Sequence, residues 1–230
     1  MKMTTAWASE IETRANEAKS FLREQLAEAT DVCVTSSFQA EDVVVLHMVR
    51  ETLPDVPVLF LETGYHFPET IAYRDQMAAE WRLNLINVLP DLTVAEQESQ
   101  FGILHQTAPD RCCGLRKVEP LFRSLAPYRV WITGLRRQQS KSRANLQTEE
   151  PFTLPGGQVL KKLSPLADWT TREVWLYAQA NAIPLLPLYD KGYTSIGCAP
   201  CTSLPFDAND PRSGRWSGRK LECGIHIQAS

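Results

Sequence analysis

Nothing in this 230-residue sequence approaches the run of about 18 apolar residues that a membrane-crossing helix needs. The first ten residues, Met1 to Glu10, lack the apolar core of a secretory leader, so the cytoplasm is the expected compartment. There is no internal repeat and no low-complexity tract. A net charge of only −3 is a poor footprint for a general nucleic-acid binder. What is present is apolar: 43% of residues are hydrophobic, with six Trp, eight Phe and six Tyr, against 22% charged. That composition excludes intrinsic disorder, and a chain this long builds a core without disulfide staples. It is one generous domain, or one domain with an appendage.

The apolar pattern alternates between two periods. Residues 9–28 carry Ile11, Ala15, Ala18, Phe21, Leu22 and Leu26 at helical spacing. Short apolar runs at 31–35, 56–61, 83–89 and 129–133 read as buried strands. Between them, residues 40–53 and 68–81 read as helices, the second opened by Pro68 at a first-turn position. A further helix, capped by Thr170 or Thr171, is expected to reach Asn181. This alternation predicts an α/β fold with a mainly parallel sheet covered on both faces. Ligands in such folds bind beyond the carboxyl ends of the strands. Three polar turns fall there: Ser36-Ser37, Glu62-Thr63-Gly64 and Gly134-Leu135-Arg136-Arg137. After about Leu204 the periodicity fades, so residues 1–205 are read as a single domain and 206–230 as a C-terminal arm.

Charge and cysteine concentrate together. Residues 111–143 hold nine Lys/Arg and one acid, and residues 211–230 hold four Lys/Arg and one acid. Two basic stretches in an otherwise acidic chain point to a local anion site, although a solvated basic face is the commoner meaning of a charge run. Four of the six cysteines form two tight pairs, Cys112-Cys113 and Cys198-Ala199-Pro200-Cys201. The second pair alone suits half a zinc site, a redox couple or an iron–sulfur centre. Adjacent cysteines rarely close a tetrahedral zinc, whereas a cubane offers a separate iron to each thiolate, so the spacing favours a cluster over zinc. Cys33, inside an apolar run, is a buried small hydrophobe. Cys223 sits near Arg219, Lys220 and His226, which favour a nucleophilic thiolate; an idle surface cysteine is the alternative.

These motifs carry a resemblance. Glu62-Thr63-Gly64-Tyr65-His66-Phe67-Pro68, Cys112-Cys113-Gly114-Leu115-Arg116-Lys117, Thr133-Gly134-Leu135-Arg136-Arg137-Gln138-Gln139-Ser140, Ser195-Ile196-Gly197-Cys198-Ala199-Pro200-Cys201-Thr202, Gly214-Arg215-Trp216 and Glu222-Cys223-Gly224-Ile225-His226 occur in one order across residues 32–226. Together the chain resembles the assimilatory sulfonucleotide reductases, specifically the iron–sulfur adenylylsulfate (APS) reductases. The resemblance implies a Rossmann-like sheet of the adenine nucleotide alpha hydrolase type. It implies reduction of APS to sulfite and AMP, with thioredoxin or a similar dithiol protein as reductant. It makes Cys112, Cys113, Cys198 and Cys201 the ligands of one 4Fe-4S cluster and Cys223 the nucleophile. Lys117 would lie between cluster and substrate. Arg136, Arg212, Arg215 and His226 would hold the phosphosulfate, and Ser36, Thr63 and Gly64 would line the nucleotide. The first loop departs from related nucleotide-binding proteins: Ser36-Ser37-Phe38-Gln39-Ala40-Glu41-Asp42 has no glycine, which speaks against a triphosphate cradle.

Such a substrate carries about two negative charges near the reacting bond. At about 4 Å and an effective dielectric near 20, each unscreened like-charge contact costs about 4 kcal/mol, so a thiolate attack needs Arg and Lys around it. Other enzymatic readings are reduction of the 3′-phosphorylated analogue PAPS, or of both nucleotides, and a nucleotide-dependent ligase or thiolation enzyme on the same fold. A non-enzymatic reading is a metal-stabilised redox-sensing module. No membrane or nucleic-acid partner is expected; a homo-oligomer is compatible with the sequence. His47 reads as a core or interface residue, and His105 has no evident partner. Trp131, Trp169 and Trp175 read as packing residues, and Glu62 and Asp42 as turn or capping carboxylates.

Overall fold

The computed structural model describes residues 5–218, 220 and 222–226. Its centre is a six-stranded sheet in the order β3-β2-β1-β4-β6-β5. The strands are β1 (Val32–Thr35), β2 (Pro57–Leu61), β3 (Asn84–Val88), β4 (Val130–Ile132), β5 (Glu149–Thr153) and β6 (Val159–Leu163). All neighbours pair in parallel except β5, which runs antiparallel to β6. The middle strands are buried on both faces, which is why they read as unbroken apolar runs rather than alternating ones.

One face is covered by α1 (Thr5–Leu26), α2 (Ala40–Val49), α3 (Pro68–Trp81) and α8 (Thr171–Ala180). Ile11, Ala15, Ala18, Leu22 and Leu26 form the buried stripe of α1. Helix α2 is buried nearly all round, sandwiched between the sheet and α1 and α8. The other face is packed by α7 (Glu119–Leu125), whose Leu121 and Leu125 meet Cys33, Leu59 and Trp131. Cys33 is fully buried and burial pushes its thiol pKa up, in keeping with a packing role. His47 is likewise structural: its Nδ1 lies 2.9 Å from the Tyr177 hydroxyl, and burial holds it below the usual histidine value.

The expected helix at 68–81 matches α3, and Thr170 caps α8 with a reciprocal bond to Glu173. The expected helix at 40–53 stops at Val49. The β5–β6 hairpin did not stand out in the sequence. Its inward face includes Lys162, buried among Trp131 and Phe152 and paired with Glu150 at 2.8 Å, so the polar–apolar alternation is lost. Also unforeseen are α4 (Val94–Phe101), α5 (Leu104–Thr107) and α6 (Pro109–Cys113), which runs through a π turn (Gly114–Val118) into α7. Trp175 corrects one expectation: it is 41% exposed, lies edge-on to Tyr189 and lines a pocket rather than the core.

The chain winds from β1 to β3 in one direction, then crosses back to place β4 on the far side of β1. The loops after β1 and β4 therefore leave the sheet in opposite directions and open a crevice at the strands' carboxyl ends.

Candidate active site

A pocket of about 510 Å³ fills that crevice. Its floor is the loop after β1. Ser36 is buried, and its Oγ accepts a hydrogen bond from the Phe38 amide at 3.1 Å. Phe38 adopts a left-handed φ of 58°, a conformation that suits glycine; its ring, wedged against Phe60 and Tyr73, holds it there. The Ser37 amide and hydroxyl both donate to Asp42 Oδ2 at 2.6 Å. Burial in the pocket wall pushes the Asp42 carboxyl up to about 6 against those two hydrogen bonds. A carboxyl raised in the folded state stabilises the fold below its ordinary value near 4 and loses that contribution as pH rises through about 6. Asp42→Asn is therefore expected to gain stability relative to the parent as pH climbs from 4 to 7. Urea denaturation at several pH values checks this, and a constant difference would refute it.

The loop after β4 forms one wall. A Cβ on Gly134 would clash with the Asp42 carboxylate and sit 3.0 Å from the Asp42 amide nitrogen. Only glycine lets this loop press onto the first turn of α2, and Gly134→Ala is expected to cost about 1–3 kcal/mol in chemical denaturation. Arg136, expected to hold substrate, lines the pocket, but its guanidinium pairs with Glu41 and donates to the Trp169 carbonyl at 3.1 Å and Thr171 Oγ1 at 3.1 Å. Its charge is thus committed to joining the β4 loop to α2 and α8.

The opposite wall belongs to the C-terminal segment. Among the described residues it contains no strand or long helix; it is tied back where Ser203 N donates to the Gly214 carbonyl at 2.9 Å and Thr202 bridges Arg215. Arg215 is buried, its guanidinium 4.4 Å from the Trp216 ring centre, and it passes over Gly197, where any side chain would collide with it. Lys117, Arg212, Arg215 and Cys223 all line the same pocket. Burial opposes the charge of Lys117, yet the Cys198, Cys223 and Cys113 sulfurs raise its pKa above the lysine value. Cys223 is half-buried in the pocket wall, not displayed on a free tail.

The cations expected beside Cys223 are partly different. Lys220 pairs with Asp110, and Arg219 lies outside the described residues. His226 stacks on Trp131 (5.3 Å between ring centres). Burial first, then Lys162, Arg143 and Arg212, hold it well below the ordinary histidine value, so it is a neutral ring rather than a cation, and its buried Nδ1 has no hydrogen-bond partner among the described residues.

Behind Lys117 lies a second, smaller cavity that shares Lys117, Arg215 and Trp216 with the pocket and is lined by Cys112, Cys113, Cys198 and Cys201. The two cysteine pairs, 85 residues or more apart in sequence, converge there. Thr63 and Gly64 belong to this side rather than to the large pocket. Thr63 Oγ1 is 3.4 Å from Cys198 Sγ, and the Thr63 carbonyl accepts from buried Arg116 at 2.5 Å. Gly64 has a φ of 73°, and a Cβ there would strike Val94. The Ala199 amide donates to the Tyr65 carbonyl at 2.7 Å, fixing the CxxC turn against this loop. Burial raises the thiols of Cys112, Cys113 and Cys201. At Cys198 burial is outweighed by Lys117, Thr63 and Arg215, which lower the pKa. Among the described residues no three such ligands gather tightly enough for a single metal ion. Four thiols around one cavity, beside two cations that offset thiolate charge, suit a multi-iron cluster, in which each sulfur meets its own iron.

Sequence reasoning passed over Arg143, Glu41 and Glu222 as members of the site. Arg143 and Glu222 share a bidentate ion pair at 2.8 Å, and both line the pocket. The only hint was the density of basic residues at 111–143, which does not say which of them face inward.

A family model of the phosphoadenosine phosphosulfate reductase domain matches residues 31–204. The chain is 48% identical to an adenosine 5'-phosphosulfate reductase of Streptomyces coelicolor, over 84% of this chain and 81% of that one. It is 44% identical to a phosphoadenosine 5'-phosphosulfate reductase of Gloeobacter violaceus, over 84% and 81%. Among solved structures it resembles the phosphoadenylyl-sulfate reductase of Candida auris in its phosphate complex, with a TM-score of 0.71, 25% identity, and coverage of 88% of this chain and 99% of that one. Yeast FAD synthetase shares the fold at a TM-score of 0.65 and 14% identity, over 90% and 70% of the two chains.

Proposed function

Because the chain belongs to the phosphoadenosine phosphosulfate reductase domain family, we propose that it reduces adenylyl sulfate to sulfite and AMP. The observation that carries this reading is Cys223 in the wall of a nucleotide-sized crevice whose lining includes Lys117, Arg212 and Arg215. Residues 206–230 act as the catalytic arm of a single domain spanning 1–205. The Cys223 thiolate attacks the sulfate sulfur. An S–S bond forms, the bond from sulfur to the bridging oxygen breaks, and AMP leaves with that oxygen and the electron pair. Lys117 and Arg215 offset the charge of nucleophile and substrate on the side facing the four thiols. Arg212 and the neutral His226 complete the anion site from the arm. Ser36, with the Ser37–Asp42 turn, lines the nucleotide, and Thr63 and Gly64 act indirectly, by ordering the wall behind Lys117.

The Cys223 S-sulfonate is then attacked at the cysteine sulfur by a thiolate of thioredoxin or a similar dithiol protein. Sulfite leaves, and the second thiol of the reductant resolves the mixed disulfide, so the reductant ends as a disulfide and Cys223 as a thiolate. Cys112, Cys113, Cys198 and Cys201 would hold one 4Fe-4S cluster. When bound, that cluster would supply negative charge to the cavity that Lys117 also lines. The cytoplasm, where dithiol proteins stay reduced, suits this chemistry.

The test is to incubate the reduced chain with APS without a dithiol and weigh its tryptic peptides. An SO3 mass on the peptide carrying Cys223 is expected, and its absence would overturn the covalent scheme. The same assay with PAPS addresses the second reading, which the match to the Gloeobacter relative keeps in view. APS is expected to label faster, and equal labelling would make the chain a dual reductase.

A further inference from the structure

The residue before Cys223 is held by several side chains at once. Glu222 Oε1 accepts hydrogen bonds from Ser140 Oγ at 2.9 Å, Ser142 Oγ at 2.9 Å and Arg143 Nε at 3.0 Å. Its Oε2 accepts from Arg143 Nη2 at 2.8 Å, and Arg212 stands 3.6 Å away. The Arg143 fork is bidentate, the strongest and most directional form of this pair. Arg143 is itself aimed by Gln139, whose Oε1 accepts from Nη1. Both partners of the pair are about nine-tenths shielded from solvent. Burial alone would raise the Glu222 carboxyl, but Arg143, Arg212 and Ser142 hold it below the usual carboxylate range.

All the short-range donors come from one turn, 140–143, which continues the loop after β4. Among the described residues the arm has no strand pairing past Arg215, so side-chain ties such as this one decide where Cys223 sits. Beyond Lys220–Asp110 and the His226–Trp131 stack, Glu222 is the tie adjacent to the sulfur. We propose that Ser140, Ser142 and Arg143 form a seat for the Glu222 carboxylate that positions Cys223 in the pocket, and that this seat is a latch which opens when the modified cysteine is presented to the dithiol reductant. The proposal rests on the reading of Cys223 as the nucleophile. While the seat is closed, the charge of Arg143 is answered by Glu222 and is not spent on the substrate anion. Arg143 is therefore a positioning residue, not a catalytic one.

Two measurements on the full chain test it, with Glu222→Ala, Arg143→Gln and the milder double variant Ser140→Ala/Ser142→Ala. The first is the rate of Cys223 alkylation by iodoacetamide without substrate, read by peptide mass spectrometry. An open latch is expected to raise it about tenfold in Glu222→Ala and less in the serine variant. The second is single-turnover S-sulfonation by APS. It is expected to fall by about tenfold to a hundredfold, the usual cost of misplacing a reacting group by about 1 Å, with the KM for APS changed little. Reduction of preformed S-sulfonate by a dithiol is expected to be as fast as in the parent or faster, which a merely damaged fold would not give. Parent-like alkylation and S-sulfonation in Glu222→Ala, or in the serine variant should the others fail to fold, overturns the latch. Faster alkylation in a chain whose parent never acquires SO3 supports the seat that positions Cys223 but overturns both its opening for a modified cysteine and Cys223 as the nucleophile.

Discussion

Cys223→Ser is expected to abolish sulfite release from APS, with a loss on the order of 10⁴-fold or more, while nucleotide binding persists. A serine hydroxyl is nearly isosteric with the thiol, so Lys117, Arg212 and Arg215 keep their places around it. What disappears is a sulfur nucleophile, which a serine hydroxyl does not replace, and the atom that forms the S–S bond. Two readouts check the expectation: steady-state sulfite production with reduced thioredoxin, and binding of APS by calorimetry. Sulfite production at even a tenth of the parent rate would sink the covalent route. Lost binding would instead mean that Cys223 helps build the anion site.

The second large effect concerns the cavity behind Lys117. Cys198→Ser or Cys201→Ser is expected to remove iron and sulfide from anaerobically purified protein and to erase the visible absorbance of a cluster. It is also expected to destabilise the chain by about 4 kcal/mol or more, the scale on which losing a structural metal group is felt. The structural reason is local. The CxxC turn is tied to Tyr65 by a single backbone bond and to the arm through Arg215 passing over Gly197, so loosening the turn loosens the pocket wall as well. Cys33→Ser, in the sheet, is expected to leave iron content untouched, because that thiol faces Leu121 and Trp131 on the α7 side. Unchanged iron and absorbance in the Cys198 and Cys201 variants would refute these residues as ligands.

Both effects involve residues legible from short motifs. The two cysteine pairs and the terminal Glu222-Cys223-Gly224-Ile225-His226 are recognisable wherever the chain folds, because the chemistry they suit depends on residue type and local spacing. The α/β alternation was equally plain, since strands buried on both faces must be apolar throughout and the helices between them must show a stripe. Legibility ended where polar groups are buried in pairs. Lys162 with Glu150 hid a strand pair, Arg136 with Glu41 resembled an anion site, and Arg143 with Glu222 was lost among nine basic residues.

The linear chain determined by itself which atoms are available: six thiols, two basic stretches, and strands apolar enough to be buried between helical layers. Only the tertiary structure decided how those charges are used. Ion-pair partners lie far apart in sequence, 95 residues in the case of Arg136 and Glu41, and the preference of a guanidinium for a buried carboxylate over an open pocket depends on distance and dielectric rather than on sequence neighbours. The same holds for His226: next to Cys223 on paper it is a cation, but stacked on Trp131 beside Lys162 and Arg143 it sheds its proton, because burial among positive charges disfavours one more.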